Sequence, residues 1–282
     1  MADKYWVGTT DNYGTAGNWS PAGVPVAGDV VYIPAGSGAI QSGLNQSAVA
    51  LDGFFVEPGY SQLIGTSSAN LQITLAAGEP FVFAGQNTAF IDLGASATTA
   101  VVNQTALATV GYGLYLLGTA LTVLTVNRGV VGFAARGEGA STAAVVNVNY
   151  VTNITGDATL VCGAGVTLTT VNQTGGTLTI QSAATTVNVQ NGTTFITGVG
   201  AITTLTNNGG TVYPASTGTI TTVNANSGST DFSRSLAART VTTLNSAAQN
   251  AEIVIDESVV TVTNKLNPAD VPVRITLRGM NS

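Results

Sequence analysis

The sequence predicts an all-β chain wound as a right-handed parallel β-helix, a β-solenoid of roughly eleven coils with an irregular N-terminal cap. Three observations carry that expectation. A short β-branched phrase recurs between residues 100 and 264, a turn-forming cluster follows most copies of it, and charge is scarce throughout.

The phrase reads Ala100-Val-Val-Asn103, Leu124-Thr-Val-Asn127, Val146-Asn-Val-Asn149, Thr169-Thr-Val-Asn172, Thr185-Thr-Val-Asn188, Thr203-Thr-Leu-Thr206, Thr221-Thr-Val-Asn224, Thr242-Thr-Leu-Asn245 and Thr261-Val-Thr-Asn264. Its terminal residues are 24, 22, 23, 16, 18, 18, 21 and 19 positions apart. Steps of that length belong to repeat architectures. Clusters such as Gly175-Gly176, Asn191-Gly192, Asn208-Gly209-Gly210 and Ser227-Gly228-Ser229 close the copies, and a short β-run closed by Gly or Asn is a strand followed by a corner. The unequal steps disfavour the strict-period left-handed hexapeptide helix and fit a parallel helix with corners of variable length.

Composition agrees. Of 282 residues, 8% are charged and 44% are apolar, with 34 Gly, no His and one Cys. The mean hydropathy is +0.33, yet no run of about 18 apolar residues occurs, so no membrane partner is expected. The net charge is −6, and the eight basic residues are scattered from Lys4 to Arg278. Binding a phosphate backbone needs clustered Lys and Arg, so nucleic acid is not an expected partner either.

Residues 1–38 read as an N-terminal cap or attachment segment. They hold both tryptophans, Trp6 and Trp19, and the prolines Pro21, Pro25 and Pro34 in a turn-rich context that leads into Val30-Val-Tyr-Ile33. A solenoid leaves its first coil open to water, and large aromatic rings can cover it. The sharper alternative for Trp6 and Trp19 is an interaction site, such as a stacking surface for a sugar. The opening Met1–Val7 has no basic stretch leading into an apolar one, so no secretory signal is expected.

Residues 39–264 read as the solenoid. Its earlier coils, from Ala39 to about Leu93, are less regular and contain Phe54, Phe55, Phe81, Phe83 and Phe90, which predicts a wide, well-filled end. In the later coils strand alternation points Val171, Val187, Leu205, Val223 and Leu244 inward. Thr170, Thr186, Thr204, Thr222 and Thr243 then form an outward column at strand spacing, about 4.8 Å, and are candidate interaction residues. The Asn that ends each phrase is expected to stack as a ladder at a corner, its amide satisfying neighbouring backbone groups. Residues 265–282 read as a C-terminal strand or cap, with Lys265, Arg274 and Arg278 among the acids of this end and with Pro268 and Pro272 guarding an open edge.

Little in the chain can carry chemistry. Without His there is no Ser-His-Asp triad and no usual zinc site, and lone Cys162 reads as a small buried residue. Neither a Walker loop nor a CxxC pair occurs. Carboxylate pairs would be needed for glycoside cleavage, and the candidates are adjacent Asp256 and Glu257, with Asp92 and Asp157 as isolated acids. Neighbours in a strand face opposite ways, which makes Asp256 and Glu257 a poor pair unless a turn intervenes. The expectation is a protein with no catalytic, cofactor or metal site, and not an enzyme.

The opening Tyr5-Trp-Val-Gly8, Gly17-Asn-Trp-Ser-Pro21, Val24-Pro25 and Gly28-Asp-Val-Val-Tyr-Ile33 resembles that of β-helical surface proteins of bacteriophages and of autotransporter passengers. The weak repeats behind it are similar in style. Autotransporters carry a signal peptide and a translocator barrel that this sequence does not show, so the resemblance implies a phage virion protein assembled in the host cytoplasm. It implies a homotrimeric capsid decoration (cement) protein on the head, with a major capsid or other virion protein as partner. The alternatives are a tail fibre, tailspike or surface adhesin with a glycan partner, and a polysaccharide-degrading β-helix.

Overall fold

Thr, Val and Ile runs of three to five residues, separated by glycines, cannot bury two faces within one hairpin but can stack on copies of themselves. In the computed structural model, which describes residues 2–104, 111–149, 157–246 and 251–266 and the backbone of Arg274–Leu277, they do so. The chain forms a parallel β-solenoid of about ten turns with no α-helix among the described residues. Its pairings are parallel except at the N-terminus, where Trp6 faces Trp19 and Tyr5 faces Ser20 antiparallel, and at an isolated bridge between Thr66 and Ala69.

One unbroken inward column runs the length of the rod. It starts at Lys4 and passes through Val31, Phe54, Phe81 and Ala100. It continues through Leu124, Val146, Val171 and Val187. Leu205, Val223 and Leu244 complete it, and exposed Lys265 stands in register beyond Leu244 at the C-terminal end. The members from Val31 to Val223 are fully buried, and each Val, Leu or Phe among them stabilises the fold by about 1.5–3 kcal/mol before entropy is charged against it. A lysine stands at each end. The Lys4 ammonium donates to the carbonyls of Pro21 (3.2 Å) and Gly23 (3.1 Å), and that of Lys265 pairs with Glu257 at 2.6 Å.

The register differs from the sequence expectation at both ends of the repeat. From Asn172 to Asn245 the phrases stack as aligned above. Below that, Asn172 pairs with Asn147 and not Asn149, whereas the phrases ending at Asn149 and Asn127 stack as aligned, the Asn149 amide donating to Asn127 Oδ1 at 2.8 Å. Above it, Asn245 pairs with Leu266 and not Asn264. Each discrepancy is two residues, the one slip that leaves inward and outward faces unchanged and is therefore invisible to alternation.

The phenylalanine-rich end also divides differently. Phe54, Phe81 and Phe83 are buried in the core. Phe55 instead stacks outside on Tyr32 (5.2 Å between centroids), which stacks in turn on Tyr5 (5.0 Å). Phe90 stacks outside on Tyr115 at 4.7 Å. The alternation of Phe54 and Phe55 sends the second ring out, and Ile91, not Phe90, takes the inward place in its strand.

Glycines let successive coils close at one corner. Gly192 has φ +89°, and a Cβ built there would lie 2.5 Å from the Gly176 carbonyl oxygen one coil below. Gly228, at φ +74°, would meet the carbonyl of Gly210 in the same way. Any side chain would prise the coils apart. Gly78 has a similar φ, +86°, but open space around it. Gly192→Ala is therefore expected to destabilise the protein by about 3 kcal/mol and Gly78→Ala by about 1 kcal/mol, the difference being the close approach. Chemical denaturation of the two variants measures it.

Candidate functional site

The threonines stand where the strands bend. In the strand Val166–Gln173, Leu168 and Val171 both point inward, so Thr169 and Thr170 between them both lie outside. The same holds for Thr185 and Thr186 between Ala184 and Val187, and for Thr203 and Thr204 between Ile202 and Leu205. Strict alternation cannot place two consecutive residues outside, so the backbone turns a corner there. Thr170, Thr186, Thr204, Thr222 and Thr243 pair in register, one per coil, and are half-buried. Thr169, Thr185, Thr203 and Thr221 form a second, more exposed row beside them.

Two residues further on, the outward asparagines join into a ladder. The side-chain NH2 of Asn188 donates to Asn172 Oδ1 (3.0 Å), that of Asn172 to Asn147 Oδ1 (3.1 Å), and that of Asn147 to Thr125 Oγ1 (3.3 Å). A second run goes from Asn245 to Asn224 (2.8 Å) and from Asn224 to Thr206 (3.2 Å). Every amide donates towards the N-terminal end of the rod. The ladder expected from the sequence is present, but Asn172, Asn188, Asn224 and Asn245 lie within strands, not at corners, so the corner role assigned to them is corrected.

The corner role belongs to two buried amides that sequence reasoning missed. Asn207 donates to the carbonyls of Gly210 (3.1 Å) and Ser229 (3.0 Å) and to Thr230 Oγ1 (3.1 Å). It accepts from the backbone N–H of Gly209 (3.2 Å) and Gly210 (3.0 Å). Gln173 donates to Gly176 O (3.0 Å) and Thr193 O (3.1 Å) and accepts from the Thr194 hydroxyl. Both amides occupy an inward column otherwise filled by Val148, Val189 and Ala225. Their partners Thr194 and Thr230 likewise interrupt a stack containing Leu160, Leu178 and Val212. The intrusions at Gln173 and Asn207 are thus each matched by a threonine on the facing wall, which satisfies both.

Trp6 and Trp19 lie inside the cap. They are 0% and 2% exposed, pack edge to face at 5.0 Å, and surround Tyr13. Their indole N–H groups donate to Gly38 O (2.7 Å) and Tyr13 O (2.8 Å). Neither ring is open to a ligand, so the interaction role considered for them is set aside in favour of cap packing. Burial raises the Tyr13 phenol far above its ordinary pKa, with a further contribution from the charge of Asp29.

The acids do not assemble into a catalytic pair. A turn does follow the strand Ala251–Ile255, but Asp256 Oδ1 accepts from the Ser258 N–H (3.0 Å) and hydroxyl (2.5 Å), while Glu257 turns to Lys265. The Ser258 hydrogen bonds, with a smaller contribution from Arg239, hold the Asp256 carboxyl below its usual range, the opposite of what a general acid needs. Asp157 is exposed just before the strand Ala158–Cys162. Asp92 faces a groove between two loops. Among the described residues no three His, Cys, Asp or Glu side chains converge on a metal-sized site. Cys162 is buried between Phe133 and Ile180, and burial pushes its thiol up to about 12.

This geometry defines a β-solenoid protein with a polar ladder on one side. Comparison with family models, characterised proteins and solved structures returns no match to the chain.

Two measurements check the internal chemistry. Asn207→Ala strands several buried partners and is expected to cost about 3 kcal/mol in a denaturant titration, whereas Asn226→Ala, which removes one exposed bond to Asn208, costs about 0.5 kcal/mol or less. Cys162 should resist a disulfide reagent at pH 8 in the native protein and react once the solenoid is unfolded. A raised thiol pKa favours the neutral form in the fold, so that contribution to stability is complete below the unfolded thiol's pKa and declines as pH climbs above it.

Proposed function

We propose that this chain is a non-enzymatic structural protein that works as a homotrimer, as a capsid decoration (cement) protein on a phage virion. The observation that carries the reading is the outer surface of the repeat strands. One outward column passes from Tyr5, Tyr32 and Phe55 through Val82 and Val101 to Thr125, Asn147, Asn172 and Asn188. The column beside it holds Thr99, Val123, Val145 and the threonines from Thr170 to Thr243. Neither column contains a charged residue over the stretch named, and the second reaches an acid, Asp3 in register with Val30, only at the N-terminal end of the rod.

Such a surface suits a neighbour of the same kind. Over about ten turns at about 4.8 Å, and a strip about 12 Å wide, it offers about 600 Å² per chain, or about 300 Å² to each of two neighbours, below the roughly 800 Å² per partner of a standard interface. Three rods with this side towards a common axis close without leaving a free copy of the surface, and chains of net charge −6 meet there without like charges facing each other. A self-paired rod braced by the Gln173 and Asn207 networks resists heat and protease, which is what reinforcing a shell requires. The virion location rests on the N-terminal resemblance and on the absence of an acid pair among the described residues.

Light scattering is expected to give three times the 28.3 kDa chain mass. Thr170→Arg with Thr222→Arg should dissociate the trimer while leaving the β-sheet circular dichroism unchanged. A monomeric wild type, or a trimer indifferent to those arginines, refutes the interface. Proteomics of purified particles from a producing lysate tests the location, and absence of the chain from them removes the virion reading.

A further inference from the structure

A groove of about 710 Å³ opens on another side of the rod. Its floor is a column of outward side chains in strict register, Asn45 beside Gln72, Gln72 beside Asp92, and Asp92 beside Leu117. The loop 67–70 forms one wall and the loop 136–138 the other. The two loops come from coils well apart in sequence, and Arg136 joins them by donating to Ser67 O (3.0 Å) and Asn70 Oδ1 (3.3 Å). Its guanidinium also lies over the stacked rings of Phe90 (4.9 Å) and Tyr115 (4.6 Å) and pairs with Glu138 at 2.5 Å. Five contacts hold this one side chain, so the groove walls are preformed.

The polar groups facing the groove are under-used. Asp92 Oδ1 accepts from the Gly94 N–H (2.8 Å), and its other oxygen makes no hydrogen bond among the described residues. The Gln72 amide makes none, and the Asn45 amide accepts only from the N–H and hydroxyl of Ser47, leaving its NH2 free. Successive amide, amide and carboxylate groups about 4.8 Å apart, ending on the apolar Leu117, present donors, acceptors and a dry patch in line along the rod. Elsewhere on this protein, outward amides in register hydrogen-bond to one another, as the Asn147–Asn172–Asn188 ladder does. Here no side-chain bond joins Asn45, Gln72 and Asp92, and the groups remain free for a guest.

We propose that this groove binds a neutral saccharide chain lying along the rod axis. A sugar ring offers adjacent hydroxyls, each both donor and acceptor, to amides and to a carboxylate, and an apolar C–H face to Leu117. The charge selects against acidic chains, because Glu138 neutralises Arg136 and Asp92 leaves the groove net negative. The groove's residues are not members of the uncharged columns assigned to the trimer, so the two proposals stand or fall separately.

The test uses the full-length protein on an immobilised array of neutral hexose and N-acetylhexosamine oligosaccharides, with uronate and sialylated chains alongside. Binding to one or more neutral chains is expected, and affinity for the best of them is then measured by titration. Asp92→Asn keeps the acceptor for Gly94 but loses the charge, and Gln72→Ala removes an exposed amide. Each should weaken binding about tenfold with an unchanged melting temperature. Thr170→Arg with Thr222→Arg should leave binding per chain intact. No neutral ligand on the array, preference for acidic chains, or affinity unmoved by both groove variants overturns the proposal.

Discussion

Everything in this molecule depends on parallel registration at strand spacing. Each coil offers the next a row of backbone N–H and C=O groups and, on the inner side, a side chain that lands on its counterpart. Once Val171 sits on Val187, the positions of Thr170 and Asn172 follow, and so do those of the next coil. The stack tolerates corners of very different length because a corner contributes little to registration. It does not tolerate bulk where coils touch, and Gly176, Gly192, Gly210 and Gly228 mark that contact.

A core built from a repeated column has one weakness, which is that a single polar residue exposes its unmet hydrogen bonds to every neighbour. At Gln173 and Asn207 the chain handles this by pairing. Gln173 meets Thr194, and Asn207 meets Thr230, each pair linking two walls of the same rod and taking up corner backbone groups as well. These networks act as internal braces where the strands leave one wall for the next. On the outside, the same amide chemistry runs lengthwise in the Asn147–Asn172–Asn188 ladder, where it ties coils together without burying a charge.

Surface character changes by side and by level. The outer face of the repeat strands passes from aromatic rings to valines and then to threonine and asparagine, uncharged along both columns described. Charged side chains gather elsewhere, in loops such as Arg136–Glu138 and around Asp231, Arg234 and Arg239 near the C-terminal coils. One uncharged side and one polar groove give the rod two surfaces of different character, which the proposals above assign to copies of the chain and to a neutral saccharide.

Much of this could be read from residues alone. A phrase of Thr-Thr-Val-Asn followed by Gly specifies a strand and a corner, because β-branching and the left-handed turn are local properties of those residues. The inward set Val171, Val187, Leu205, Val223 and Leu244 and the outward threonine column followed from period-two alternation. Tertiary structure alone decided what alternation cannot see. It set the two-residue register at Asn147 and Leu266, since a shift of two preserves every face. It put both threonines of each pair outside by bending the strand, and gave Gln173 and Asn207 their cross-wall partners Thr194 and Thr230, 21 and 23 residues away. It also brought Asn45, Gln72 and Asp92 into one line, because neighbours across coils of unequal length are fixed by packing and not by spacing along the chain.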